Sequence, residues 1–68
     1  MTIQKYRLRY PYEHLQVGAV VYDLTKHDYG LARDDTNHTG VPHVSVTMKE
    51  DGDYPSFTIP THLLVPEN

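Results

Sequence analysis

The chain contains no cysteine, no tryptophan and only one phenylalanine in 68 residues. Without cysteine there is no disulfide and no thiolate for a metal, so two common staples of very small domains are excluded and the redox compartment cannot be read. No apolar run approaches the ~20 residues of a membrane span. The first ten residues, MTIQKYRLRY, lack the apolar segment of a signal peptide. A soluble, cytoplasmic protein is the expectation. Glycine is sparse as well: Gly18, Gly30, Gly40 and Gly52 stand singly, so no glycine-rich phosphate cradle is present. Nucleophile-elbow and metalloprotease patterns are also missing. The sequence therefore predicts a chain that is not an enzyme and carries no cofactor.

What is present comes in a characteristic distribution. Nine acidic residues outweigh six basic ones, for a net charge of −3. Half of the basic residues, Lys5, Arg7 and Arg9, lie in the first ten positions with no acid among them; from Pro11 onward three basic residues face nine acidic ones, a balance of −6. A basic strand on an acidic body suits a nucleic-acid contact or a complementary face for a second copy. An acidic body repels phosphate, which favours the second. A single domain of this length buries only ~60% of its unfolded surface, and its stability falls at ~3–10 kcal/mol.

Proline punctuates the chain at Pro11, Pro42, Pro55, Pro60 and Pro66, and each removes a backbone donor. Residues 4–10, QKYRLRY, alternate strictly: Tyr6, Leu8 and Tyr10 on one face, Lys5, Arg7 and Arg9 on the other. This predicts a half-buried strand stopped by Pro11. In residues 15–24, LQVGAVVYDL, Gly18 and three valines favour a strand from about Val17 to Leu24, with Gly18 at a bulge or a close backbone approach. Residues 29–35 are expected as a short strand and residues 36–40, TNHTG, as a loop.

Residues 43–59, HVSVTMKEDGDYPSFTI, read as a hairpin: Val44, Val46 and Met48 alternate with His43, Ser45 and Thr47, and Asp51-Gly52 supplies the turn. Phe57 and Ile59 return the apolar side and Pro60 ends the strand. PTHLLVP then predicts one 3-10 turn and a last strand, with Leu63, Leu64 or Val65 plugging the core. Val20, Tyr22, Val44, Val46, Phe57 and Ile59 are expected to be largely buried.

Val17-Gly18-Ala19-Val20-Val21 resembles the opening strand of SH3-like small barrels, and Ile59-Pro60-Thr61-His62-Leu63-Leu64-Val65-Pro66 resembles their closing turn and strand. The resemblance spans residues 15–66, the expected barrel core, with residues 1–10 as an added N-terminal strand of the one domain. It implies an all-β fold, a small SH3-like barrel of five or six short antiparallel strands with one 3-10 turn before the last. Two families can be compared. Hemimethylated-DNA-binding small barrels have similar features to Val17-Gly18-x-Val20-Val21, Pro42-His43-Val44-Ser45-Val46 and Leu64-Val65-Pro66, but this chain lacks their basic and aromatic residues around those strands. Type II dihydrofolate reductase carries Val-Gln-Ile-Tyr on its pore strand, whereas the equivalent stretch here is Ser56-Phe57-Thr58-Ile59-Pro60. No catalytic residue carries over.

Five histidines, His14, His27, His38, His43 and His62, raise a zinc site, with His38, His43 and Asp34 or Asp35 as the nearest cluster. No pair has helical i, i+4 spacing and no cysteine contributes, so solvated loop histidines are the expectation. Six tyrosines are the most unusual feature. Tyr6, Tyr10 and Tyr22 suit the rim of a core poor in other aromatics. Tyr12, Tyr29 and Tyr54, each beside a turn, suit exposure, and tyrosine is enriched at recognition surfaces. With Asp51 they form the expected protein-binding site, where the hairpin turn meets the Tyr29 loop and the TNHTG loop. The function so read is a non-catalytic protein-interaction module or accessory subunit, of the kind phages and mobile elements use to bind a host factor. The alternative is a nucleic-acid binder using Lys5, Arg7 and Arg9 with Tyr6 and Tyr10. The first strand, Gln4 to Tyr10, is expected to pair with the barrel's own edge or with a second copy.

Overall fold

The structure, a computed structural model, describes residues 3–67. Five strands, β1 (Lys5–Leu8), β2 (Val20–Asp23), β3 (His43–Thr47), β4 (Ser56–Pro60) and β5 (Leu64–Glu67), form one antiparallel sheet in the order β4-β3-β2-β1-β5. A helix, α1 (Leu31–Thr39), joins β2 to β3, and a 3-10 turn (Thr61–Leu63) precedes β5. The expected class is the one observed: a small, mostly β domain whose first four strands meander and whose fifth returns beside the first through a 3-10 turn. Among the described residues no helix is long and apolar enough to cross a membrane.

Leu8, Val21, Val46, Ile59 and Leu64 form the buried core, with Tyr6, Tyr12, Leu15, Ala19, Val44, Phe57 and Leu63 packed partly against it. Alternation in β3 and β4 agrees in phase, and in β1 it agrees as far as Leu8, where the strand ends; Tyr10, expected on the buried face, lies beyond that end and is exposed. In β2 the phase differs: Val20 and Tyr22 are only half-buried and Val21 is the core residue. The register explains this. Val21 stands opposite inward-facing Tyr6, while Val20 and Tyr22 stand opposite Arg7 and Lys5 on the charged face. Val44 and Phe57 are likewise half-buried, and Met48 is exposed because β3 has ended at Thr47. Of the three plug candidates Leu64 is buried, Leu63 packs at the margin and Val65 is exposed.

Leu8 accepts the Gly18 N–H at 2.9 Å and donates to the Ala19 carbonyl at 2.9 Å. Two residues thus face one, the count of a β-bulge. β1 pairs along both edges, with β2 and with β5. Of the two pairings open to the first strand, the barrel's own is the one observed, and β1 offers no free edge to a second copy.

Residues 29–35 hold no strand, and TNHTG is no loop: both belong largely to α1. The Asp28 carboxylate accepts the Gly30 N–H at 2.9 Å and the Ala32 N–H at 3.4 Å, satisfying donors at the start of the helix. Gly40, at φ 76, ends it and donates to the Thr36 carbonyl. The half-buried residues of the helix, Ala32, Asp35 and Thr36, recur at i, i+3, i+4. They are mostly polar because α1 lies on the outer, hydroxyl-bearing face of the β3–β4 hairpin. Thr58 Oγ donates to Asp35, the His43 N–H donates to Thr36 Oγ at 2.9 Å, and Ser45 Oγ donates to Asp28 at 2.9 Å. The outer hairpin face is thus a seat for the helix.

Candidate functional site

The segment before α1 is held by one carboxylate. Leu31 N–H donates to the Asp28 carbonyl at 3.2 Å, closing a turn in which both central residues, Tyr29 (φ 57) and Gly30 (φ 77), have positive φ, as in the primed turns. Backbone N–H donation from Gly30, then the Ser45 hydroxyl, hold the Asp28 carboxyl below its ordinary value. The turn projects Tyr29, which is 74% exposed, outward from the sheet. Its ring meets the His27 ring edge-on with centroids 4.6 Å apart.

Tyr54 reaches the same place from the hairpin loop. Its hydroxyl donates to the His27 carbonyl. Burial, then the neighbouring Tyr29, then Asp53 and Asp28 raise its pKa above the usual phenol value. The two loops are laced at Thr25, whose N–H and hydroxyl both donate to the Gly52 carbonyl, at 2.8 and 2.9 Å. Asp51 is exposed on the same loop, and its carboxylate accepts the Asp53 N–H at 3.0 Å. Thr47 Oγ anchors the loop from below by donating to the Asp53 carbonyl at 2.8 Å. Three of the four expected residues, Tyr29, Tyr54 and Asp51, therefore belong to two loops tied together.

Tyr12 does not join them. It bridges to Leu15 through N–H donations of 3.0 and 2.8 Å, packs at the edge of the core, and is raised in pKa by burial and then by Glu13. It lines a separate apolar cleft of about 220 Å³ with Leu15, Met48, Pro55 and Phe57. Thr36–Gly40, expected as a loop facing the hairpin turn, is the C-terminal end of α1. His27 and Asp28 were missed by sequence reasoning. An aspartate two residues before a glycine and a Leu-Ala-Arg run is a helix-start signal that could have found the second.

On the basic strand, Arg7 forms a two-pronged pair with Glu67 at 2.6 and 2.7 Å and also donates to the Gly18 carbonyl at 3.0 Å. Lys5 lies 3.8 Å from the same carboxylate. Arg7 first, and Lys5 after it, hold Glu67 below its ordinary pKa. Tyr6 is half-buried with its hydroxyl 3.4 Å from Asp23, and burial raises both groups. Arg9 sits over the exposed Tyr10 ring, 5.4 Å from its centroid. Among the described residues no three His, Cys, Asp or Glu side chains converge to hold a metal ion. Comparison with family models, with curated proteins and with solved structures returns no match.

Proposed function

We propose that the chain is a non-catalytic protein-interaction module that engages another protein through the Tyr29–Tyr54 surface. An accessory subunit with which a phage or mobile element binds a host factor is a setting suited to a compact, cysteine-free domain of this size. The observation that carries the reading is Tyr29. A bulky side chain in left-handed backbone costs about 1–2 kcal/mol, and a ring left 74% exposed recovers little of that by burial. Strain kept at a solvent-facing position favours a role outside folding. Exposed tyrosines steadied by neighbouring groups suit recognition, since their area is presented at low entropic cost.

The test is Tyr29→Gly. Glycine adopts φ 57 freely, and its own unfolded-state entropy and the lost His27 contact offset the relief. Stability should stay within about 1 kcal/mol of the parent. Affinity capture with the parent chain should recover a protein that Tyr29→Gly and Tyr54→Ser both lose. Recovery of nucleic acid without any protein would refute the reading.

A second reading has one observation in its favour: Arg9 stacked on the exposed Tyr10 is a pair able to meet a base and a phosphate. Lys5 and Arg7 are already engaged with Glu67. Binding of this kind would weaken steeply with salt and be lost in Arg9→Glu.

A further inference from the structure

We propose that the cleft beside Tyr12 receives one bulky apolar side chain from an extended segment of another protein, with lysine or arginine neighbours of that side chain lying against the acids around it. The inference rests on the interaction-module reading and specifies the partner's chemistry. Tyr12, Leu15, Met48, Pro55 and Phe57 give the cleft an apolar wall around about 220 Å³. Roughly 150 Å³ is enough for benzene, and drug-sized ligands occupy about 300–1,000 Å³. The space therefore matches a single leucine, methionine or phenylalanine side chain. Met48, 53% exposed at the lip, is the unbranched, polarizable residue that adapts most easily to an incoming group.

Charge names the neighbours. Glu13 lines the cleft, together with His14 and Lys49. Lys49 and Pro55 both line it, and the chain between them carries Glu50, Asp51 and Asp53. Among the described residues the only ion pairs are those of Lys5 and Arg7 with Glu67. Lys49 is the one basic residue of that loop, and among the described residues none of these four acids forms an ion pair. An extended chain advances ~3.3–3.6 Å per residue, so basic residues one or two positions from the anchor would be carried toward Glu13 and that loop. The same loop carries Tyr54 of the tyrosine surface.

The experiment uses the whole chain, ¹⁵N-labelled, titrated to millimolar concentration with a ten-residue peptide holding one phenylalanine among lysines and serines. Expected are shifts at Tyr12, Leu15, Met48 and Phe57, an affinity at least about tenfold lower when the phenylalanine is replaced by serine, and a further loss in Glu13→Lys or Glu50→Lys. Binding that ignores the phenylalanine, or shifts confined to Tyr29 and Tyr54, would overturn the cleft assignment and leave the tyrosine surface standing. Absence of any shift at the cleft overturns it as well. Dimerisation of the free chain that Met48→Ser abolishes would replace the peptide by a second copy.

Discussion

Gly52→Ala tests how firmly the hairpin loop is seated on the end of β2. Gly52 has φ 75, and a Cβ there would stand 2.5 Å from Thr25 Cγ2 and 2.8 Å from the Asp23 carbonyl oxygen. Neither neighbour can yield cheaply. The carbonyl is strand backbone, and turning the Thr25 side chain would break its hydroxyl donation to the Gly52 carbonyl at 2.9 Å. Left-handed backbone costs alanine about 1–2 kcal/mol, and overpacking adds about 1–3 kcal/mol. The expected loss is thus about 2–5 kcal/mol, against a total of ~3–10 kcal/mol for a domain of this size. Gly40→Ala isolates the steric part: its φ of 76 is nearly the same, but nothing lies within 4 Å of the added carbon. It should lose about 1–2 kcal/mol, or about 5–15 °C in the thermal midpoint, and Gly52→Ala roughly twice as much or more. Thermal and urea unfolding followed by circular dichroism measure both. Equal losses in the two variants would refute the close seating of the loop.

Two further outcomes follow from the core and the carboxylates. Leu8→Ala, at a position only 1% exposed between β2 and β5, should cost about 2–5 kcal/mol, while Val65→Ala on the exposed face stays within about 0.5 kcal/mol; urea titration distinguishes them. Asp28 and Glu67 have folded pKa values below their unfolded 3.8 and 4.5, so their stabilisation is complete above those values and is lost as pH falls through the lower folded ones. The midpoint should therefore decline below about pH 4.5, and Asp28→Asn with Glu67→Gln should flatten that limb; an unchanged limb would contradict the hydrogen bonding described. Asp23, whose pKa is raised by burial, works in the opposite direction and gains stability on protonation, so Asp23→Asn should leave the decline in place.

The strands were legible because alternation and proline spacing are local. Tyr6 and Leu8, Val44 and Val46, and Phe57 and Ile59 each announce a face within a few residues. β2 was not legible in phase, since Ala19 to Tyr22 is apolar throughout and only the pairing with β1 selects Val21. α1 was hidden for a different reason. Its packed stripe is Ala32, Asp35 and Thr36, so it carries no apolar period, and the groups that receive it, the Thr58 hydroxyl and the His43 N–H, are polar as well. The juxtaposition of Tyr29 and Tyr54 could be anticipated from their place beside turns, but the displacement of Tyr12 into a separate cleft could not. Nor could the pairing of Arg7 with Glu67, sixty positions apart, which changes what the basic strand can offer.

The five core residues all lie outside the interval from β2 to β3: Leu8 and Val21 precede it, and Val46, Ile59 and Leu64 follow it. The chain is therefore two segments that complete one interior, joined by a connector that contributes nothing to it. Such a connector is the place where length and composition can drift between related chains, or be exchanged by design, without re-solving the packing problem. Closure entropy changes by only about 0.6 kcal/mol per doubling of a flexible loop. What an exchange would give up is the hydrogen bonding of Asp28, Asp35 and Thr36 to the sheet, and with it the turn that holds Tyr29. In this architecture the buried core can persist while the segment that presents Tyr29 is rewritten.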